Sequence, residues 1–175
     1  MKRPLIPLVL GLVACTAMTR AWAPKLVWNT TASAPIGLYR VMSPQAIRRG
    51  DLVAIAPPPP LAHALARRGV LPLGTPLIKP VAGLPREEVC RHGDTVTLAG
   101  RALAIARQRD RHGRPLPTWS GCRLIDDDEL FLLNAARDDS FDGRYFGPIS
   151  AHGLLGQVTP LWTRSSPPAA PKSRR

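Results

Sequence analysis

Residues 77–85 have the sequence Leu77-Ile78-Lys79-Pro80-Val81-Ala82-Gly83-Leu84-Pro85, an apolar, strand-like run with one charged side chain. Lys79 is the only lysine between residues 26 and 171, although the chain has 24 lysine and arginine residues in total. Arginine stays protonated near neutral pH, whereas a desolvated lysine can release its proton. The run therefore predicts a strand that carries a candidate general base. The plainer alternative is a lysine whose amine reaches solvent from that strand.

The composition predicts one β-rich domain with an anionic partner. A chain of 175 residues is long enough for a single domain with a full core. Its 20 prolines and 14 glycines favour short strands joined by turns over a helical bundle. The formal net charge of +12 favours nucleic acid or membrane headgroups. Because only 5% of the residues are aromatic, without a basic-aromatic pattern for base stacking, we expect no nucleic-acid partner.

The N-terminus predicts that the chain is directed to a membrane. A basic start, Lys2-Arg3, precedes an uncharged stretch over 4–19 that is marginally long for a spanning helix. Three interpretations are open: an uncleaved anchor, a cleaved signal peptide, or lipidation at Cys15, which closes the lipobox-like run Leu12-Val13-Ala14-Cys15. Of the three, we expect the uncleaved anchor. All three interpretations place the main domain outside the cytoplasm.

The expected organisation is an anchor or uncleaved signal over 1–23, a periplasmic domain over 24–163 and a disordered basic tail over 164–175. Cys90 and Cys122 are the two cysteines of the main domain. Outside the cytoplasm such a pair usually forms a disulfide, which would stabilise the fold by about 3–4 kcal/mol on the chain-entropy model. With no histidine at metal-ligand spacing, we expect no metal site, and we expect no cofactor.

Local patterns predict a mainly β domain with antiparallel strands. Residues 24–32 are expected to form a polar connector, and the arginine-rich residues 107–117 an exposed loop. A short helix is expected over 61–68, ending at Gly69. The expected strands cover residues 51–55, 77–82, 129–134 and 154–162, with a hairpin formed by 95–98 and 102–105.

Ser33 is the candidate nucleophile that fits a lysine base. The sequence suggests no Ser-His-Asp relay, because none of the four histidines has an aspartate in a suitable pattern. In a serine–lysine dyad the neutral amine accepts the serine proton, and the serine attacks a carbonyl to form an acyl-enzyme. A lysine that acts as a base near pH 7–8 needs a pKa about 2–3 units below its ordinary value, and burial among apolar side chains can lower it by that amount.

Four segments, in order, resemble the boxes of the type I signal peptidase superfamily. They are the nucleophile box Ser33-Ala34-Pro35, the strand box Arg49-Gly50-Asp51-Leu52-Val53, the general-base box from Lys79 to Pro85, and the last box, which runs from Arg137 to Gly147. Together they span about residues 28–162. The resemblance implies an antiparallel β-sheet or partly open barrel with one N-terminal transmembrane helix.

Within that superfamily the chain is most similar to the TraF-type conjugal transfer peptidases, on the segment from Asn29 to Tyr39, the proline-rich insert before the helix, and the Trp119-Ser120-Gly121-Cys122 run. The resemblance implies that Ser33 is the nucleophile and Lys79 the general base. It further implies that Thr31 helps bind the oxyanion and that Ser140 holds the lysine amine. Asp142 and Arg144 match a structural ion pair, and Gly147 matches a turn.

The sequence also departs from the general signal peptidases. Pro80 stands where they carry an arginine, and Arg86-Glu87 replaces their Gly-Asp. Asn134-Ala135-Ala136 lacks the Gly-Asp-Asn opening of their last box. These departures favour the specialised branch.

The implied function is a serine endopeptidase of the bacterial inner membrane that faces the periplasm and matures a pilin precursor, with or without cyclisation, for a conjugative transfer apparatus. The expected partners are therefore that precursor, or another membrane-tethered polypeptide, and the membrane itself. Two alternatives stay open at this point: a general type I signal peptidase, and a non-catalytic basic lipoprotein of a secretion apparatus.

Overall fold

The computed structural model describes residues 24–43 and 46–164. The expected anchor over 1–23, with Cys15, and the tail beyond Arg164 lie outside the described residues, so the predicted domain boundaries stay predictions. Within the described part, no helix is both long and apolar enough to cross a bilayer.

Strands dominate the described residues, and every strand pair is antiparallel, so the predicted mainly β class is confirmed. The helices are α1 (Pro59–Arg67) and α2 (Gly143–Phe146), with a 3-10 turn at Ala151–Gly153. The strands are β1 (Leu26–Asn29), β2 (Gly37–Val41), β3 (Leu52–Ile55), β4 (Leu77–Gly83), β5 (Glu88–His92), β6 (Thr95–Leu98), β7 (Arg101–Ile105), β8 (Gly121–Leu124), β9 (Glu129–Leu132), β10 (Ile149–Ser150) and β11 (Leu154–Thr163).

The strands form two sheets. The larger has seven strands in the order β1-β2-β11-β3-β4-β9-β10, and the smaller has four in the order β7-β6-β5-β8. In the larger sheet, register shifts interrupt β11 twice and β4 once, and such bulges bend a strand. The order leaves β1 and β10 at free edges, which agrees with the expected open arrangement.

The position of β4 near the middle of the larger sheet determines where Lys79 points. Because side chains alternate along a strand, Lys79 shares one face with Leu77 and Val81, and its cross-strand partner is Val53. Those three apolar residues belong to the buried core that also contains Leu65 of α1. A lysine on this face is therefore surrounded by apolar side chains, while Ile78 points to the core on the opposite face.

The turn after β4 forms despite the departure at Arg86-Glu87. Arg86 has a φ of 69°, a left-handed conformation that glycine adopts more easily than arginine. The Glu87 carboxylate accepts the backbone N–H of Leu84 at 2.7 Å and pairs with Arg49, and Arg86 N–H donates to the Ile125 carbonyl at 2.8 Å. These bonds hold the turn in place of the glycine.

Several local predictions are confirmed and others are wrong. The helix, the β3 and β4 strands and the β6–β7 hairpin lie where the sequence placed them, within two residues at each end. The expected polar connector over 24–32 is wrong in part, because β1 forms there and pairs with β2. The sequence also gave no signal for β5 or β8, which pair with each other in the smaller sheet.

The predicted disulfide is confirmed. Cys90 on β5 and Cys122 on β8 lie directly opposite each other and are bonded, with a sequence separation of 32. The bond therefore joins the edge strand β8 to the centre of the smaller sheet.

Candidate active site

Lys79 is the buried basic group at the centre of the candidate site. Its side chain is only 2% exposed, and its Nζ donates a hydrogen bond to Ser140 Oγ at 2.8 Å. Burial lowers the pKa of the Lys79 ammonium from 10.5 to about 8, because removal from water penalises the charged form. The negative charges of Asp142 and Asp139 oppose this shift, whereas the positive charge of Arg144 adds to it. The surface-lysine alternative is therefore wrong.

Ser33 lies in the turn between β1 and β2, and a buried asparagine organises that turn. Asn29 Oδ1 accepts hydrogen bonds from the N–H and the hydroxyl of Thr31, each at 3.1 Å. Its Nδ2 lies within 3.0 Å of the carbonyl oxygens of Ala34 and Pro35. Tyr39 adds a hydroxyl donor to the Pro35 carbonyl at 2.6 Å. The side chain of Asn29 thus replaces the backbone bonds that this turn lacks.

The Ser33 hydroxyl is bonded to Thr31 and not to the lysine. Ser33 Oγ lies 3.0 Å from Thr31 Oγ1, and the Thr31 hydroxyl donates to Asn29 Oδ1. Because the Thr31 proton is used by Asn29, Ser33 is the donor within this pair. In this state the amine of Lys79 and the hydroxyl of Ser33 are satisfied by different neighbours, Ser140 and Thr31.

The last box is held together by a buried ion pair. Arg144 and Asp142 are 1% and 0% exposed, and the guanidinium binds the carboxylate with two bonds of 2.8 and 3.1 Å. Arg144 also donates to the carbonyl oxygens of Asn134 and Arg137, at 2.8 and 3.1 Å. The expected ion pair is therefore present, and it fixes the loop that carries Ser140.

Asn134 connects this loop to the nucleophile turn. Its Nδ2 donates to the Ser33 carbonyl oxygen at 2.6 Å, and its backbone N–H donates to Asp142 at 3.0 Å. The two segments lie 101 residues apart in the sequence. The residue that departs from the general pattern of the last box thus fastens Ser33 to the Asp142–Arg144 pair.

Two glycines of the last box are required by geometry. A Cβ on Gly143 would lie 2.6 Å from the Phe131 ring, so only glycine fits where α2 crosses β9. Gly147 ends α2 with a φ of 72°, a positive value that glycine adopts more easily than other residues. Gly147 therefore occupies the turn that the sequence predicted.

The candidate site opens into one cavity of about 500 Å³. Thr31, Ser33, Lys79 and Ser140 all line it, so the structure brings together the four residues predicted to touch the reaction. Asp142 and Arg144 lie behind this wall. Sequence reasoning missed the roles of Asn29, Asn134 and Tyr39. The signal for Asn29 and Tyr39 was their place at the two ends of a matched segment, and Asn134 lies just before the last box.

Two other polar clusters lie outside this cavity. His152 Nδ1 contacts both Ser150 Oγ at 2.6 Å and Asp128 at 3.4 Å, but a relay needs a different ring nitrogen for each partner. Among the described residues, the only group that could hold a metal is Cys90, His92 and Cys122. The sulfurs of Cys90 and Cys122 form the disulfide, so the imidazole of His92 is the one group of the three that is free to bind a metal.

Comparisons with known proteins identify the family of the chain. The family model described as signal peptidase, peptidase S26, matches residues 2–162. The "Probable conjugal transfer protein TraF" of Sinorhizobium fredii is 38% identical over 90% of each chain. The conjugal transfer protein TraF of Agrobacterium tumefaciens is 37% identical, covering 77% of this chain and 81% of that one. A signal peptidase I from Enterococcus faecalis, at 22% identity, superposes with a TM-score of 0.40 over 67% of this chain and 100% of the other.

Proposed function

We propose that this chain, which belongs to the signal peptidase S26 family, is a serine endopeptidase in which Ser33 is the nucleophile and Lys79 is the general base. The observation that carries the proposal is the state of Lys79. Its amine is buried in the wall of the Ser33 cavity, it has a neutral hydroxyl as its hydrogen-bond partner, and its pKa is lowered to about 8. A group with these properties can accept a proton near neutral pH.

The reaction begins with a change of hydrogen-bond partners. Ser33 Oγ turns from Thr31 towards the neutral Lys79 amine and transfers its proton to Nζ, while Oγ attacks the scissile carbonyl carbon. Ser140 keeps Nζ in position through its 2.8 Å bond.

The oxyanion that forms needs donors, and two are available. The Ser33 backbone N–H is one, and the Thr31 hydroxyl becomes the second once its proton turns away from Asn29 Oδ1. A side-chain donor at such a position contributes roughly 3–4 kcal/mol to the transition state in other hydrolases. Asn29 keeps its bond to the Thr31 backbone N–H, so the turn holds its shape during the change.

The Lys79 ammonium then gives its proton to the leaving amine, and an ester between Ser33 and the substrate carbonyl is left. Lys79 is neutral again and can activate the second nucleophile by the same proton transfer. That second nucleophile is water in hydrolysis or a substrate amine in cyclisation. Either step regenerates the Ser33 hydroxyl.

We further propose that the chain is anchored in the bacterial inner membrane, faces the periplasm and matures a pilin precursor for conjugative transfer. The names of the relatives from Sinorhizobium fredii and Agrobacterium tumefaciens support the connection to conjugal transfer. The Cys90–Cys122 disulfide supports an oxidising compartment. The short distance in sequence between the uncharged N-terminal stretch and Ser33 suits a scissile bond close to a bilayer.

The test is to co-express the pilin precursor with the full chain and measure the mass of the product. We expect a shortened or cyclised pilin with the wild type and with the control Ser120→Ala, whose hydroxyl is exposed and outside the cavity. We expect only precursor with Ser33→Ala. Unchanged processing by Ser33→Ala would contradict the proposed nucleophile, and rescue of a strain that lacks its general signal peptidase would favour the broader alternative.

A further inference from the structure

The wall of the active-site cavity carries a large excess of positive charge. In addition to Ser33 and Lys79, six arginines and two aspartates line the cavity. They are Arg68, Arg107, Arg109, Arg111, Arg114 and Arg137, with Asp110 and Asp139. Four of these arginines come from the segment 107–117, which we call the arginine loop. The loop lies on the wall of the same cavity as Ser33 Oγ, so a bound substrate meets both.

The arginine loop is fixed in place by its own contacts. Arg114 pairs with Asp110 at 2.8 Å and donates to the Arg68 carbonyl at 3.1 Å. Arg68 in turn donates to the Pro115 carbonyl at 2.7 Å. These bonds tie the loop to the end of α1. Arg109 also bonds within the loop, to the Gly113 carbonyl at 2.7 Å, so the loop presents Arg107 and Arg111 from a fixed backbone.

The aspartates of the wall do not neutralise the remaining cations. Asp110 is used by Arg114, and Asp139 is paired with Arg137 at 3.0 Å. Arg111 makes no ion pair or hydrogen bond with any residue that the structure describes. The guanidinium of Arg107 has no ion-pair partner within 4.0 Å in that same part of the chain. The pKa of Asp139 is lowered mainly by its hydrogen bond from Arg137, and the charge of Arg107 adds to this effect. Arg107 and Arg111 thus leave uncompensated positive charge beside the reaction centre.

We propose that the arginine loop selects substrates in which the polypeptide beside the scissile bond carries carboxylates, with Arg107 and Arg111 as the specificity-determining residues. This inference rests on the proposed peptidase function. A guanidinium binds a carboxylate through two parallel bonds, and a concave wall of one charge sign concentrates the opposite charge. The carboxylate can belong to an Asp or Glu side chain or to a free chain end. A flat bilayer surface fits this concave wall less well than an extended peptide does.

The experiment uses the purified full chain and a set of matched quenched fluorescent peptides. One peptide carries glutamates on both sides of the scissile bond, a second has glutamine at every such position, and each is made with a free and with an amidated C-terminus. We expect the glutamate peptide to have a kcat/KM about five- to tenfold above its glutamine counterpart, mainly through KM. Raising the salt concentration should reduce that ratio because it screens the attraction.

The protein variants locate the source of the preference. Arg107→Gln with Arg111→Gln should bring the ratio of the two kcat/KM values close to one, because the glutamate peptide loses its extra attraction to the cavity wall. The matched control is Arg101→Gln, since Arg101 is exposed and does not line the cavity, and it should keep the full preference. A preference that follows the C-terminal state identifies the chain end as the carboxylate, and one that follows Glu against Gln identifies side chains.

A binding measurement separates failure of this inference from failure of the proposed function. The Ser33→Ala chain should still bind the glutamate peptide more tightly than the glutamine peptide, measured by fluorescence anisotropy without cleavage. Equal cleavage or equal binding of the two peptides would overturn the selection but leave the peptidase intact. Cleavage that persists in Ser33→Ala would overturn the peptidase assignment. A double arginine variant that loses only its binding to phosphatidylglycerol vesicles, with its peptide ratio kept, would also overturn the inference in favour of a membrane contact.

Discussion

The strand around Lys79 and the loop around Arg144 both bury a basic side chain, at 2% and 1% exposure, and they give it different partners. Arg144 has a carboxylate and several carbonyl oxygens, so its charge is fully compensated. Lys79 has one neutral hydroxyl. The first arrangement fixes a loop, because each of the three guanidinium nitrogens donates at least one hydrogen bond. The second makes the charged form costly and thereby prepares the amine to be neutral.

The two regions also depend on each other. The carboxylate of Asp142 raises the pKa of Lys79, while the guanidinium of Arg144 lowers it. Because these charges form a close pair, their effects on the lysine largely oppose each other, and desolvation is the main cause of the shift. The guanidinium of Arg144 therefore offsets part of the stabilisation that the Asp142 carboxylate gives to the Lys79 ammonium.

The largest expected effect is that of Lys79→Arg. An arginine keeps the positive charge but cannot release its proton near neutral pH, so we expect kcat/KM to fall by about a thousandfold or more. The matched control is Lys25→Arg, which changes an exposed lysine outside the cavity and should keep full activity. Substantial activity in Lys79→Arg, with folding verified by circular dichroism, would show that Lys79, like Arg144, serves only as a buried positive charge and not as a base.

The next effect is on stability, in Arg144→Met. Removing the guanidinium leaves the Asp142 carboxylate buried without its partner, and we expect the free energy of unfolding to fall by about 3–5 kcal/mol. Arg86→Met is the control, since it breaks the exposed Arg86–Asp127 pair and should leave unfolding nearly unchanged. In any Arg144→Met protein that folds, the pKa of Lys79 should rise. A fully stable variant, in urea denaturation, would mean that the pair does not hold the loop.

The smaller sheet provides a third test. We expect the double variant Cys90→Ser, Cys122→Ser to lose about 3–4 kcal/mol of unfolding free energy. The kcat/KM of the folded protein should stay within about twofold of the wild type, because the disulfide lies outside the cavity. If kcat/KM fell sharply while stability was kept, the smaller sheet would be needed for catalysis and not only for stability.

The smallest effect expected is in the pH profile. With a Lys79 pKa of about 8, the neutral fraction is roughly one tenth at pH 7 and nine tenths at pH 9, so kcat/KM should rise about tenfold. Because this pKa is lowered by folding, the unfolded chain holds the proton more tightly. The stability contributed by Lys79 therefore increases as the pH rises from about 8 to 10.5. A flat kcat/KM profile between pH 7 and 9 would contradict a lysine base.

The sequence predicted those parts of the fold that carry a regular apolar pattern. The strand β4 and the β6–β7 hairpin have such patterns, and both lie where expected. Strand β1 was missed because only two of its four residues, Val27 and Asn29, are buried, and one of these is an asparagine. Strand β8 was missed because all four of its residues are exposed, so no alternation marks it.

The candidate site was predictable where a residue type decides the chemistry. Ser33, Lys79 and Ser140 were expected from their types and matched segments, and all three line one cavity. The bonds that hold them were not predictable. Asn134 contacts the Ser33 carbonyl across 101 residues of sequence, and only the tertiary fold brings the two together. The excess charge on the cavity wall likewise depends on where the arginine loop is fastened.

The most direct test of the account is the pKa of Lys79 itself. The chain has four lysines, so a protein labelled with ¹³C at lysine Cε gives few resonances, and Lys79→Met identifies the one in question. We predict that this resonance titrates with a pKa of about 8 in the wild type, below the ordinary lysine value of 10.5. A Lys79 resonance that titrates near 10.5 would contradict the claim that burial prepares this amine to act as a neutral base.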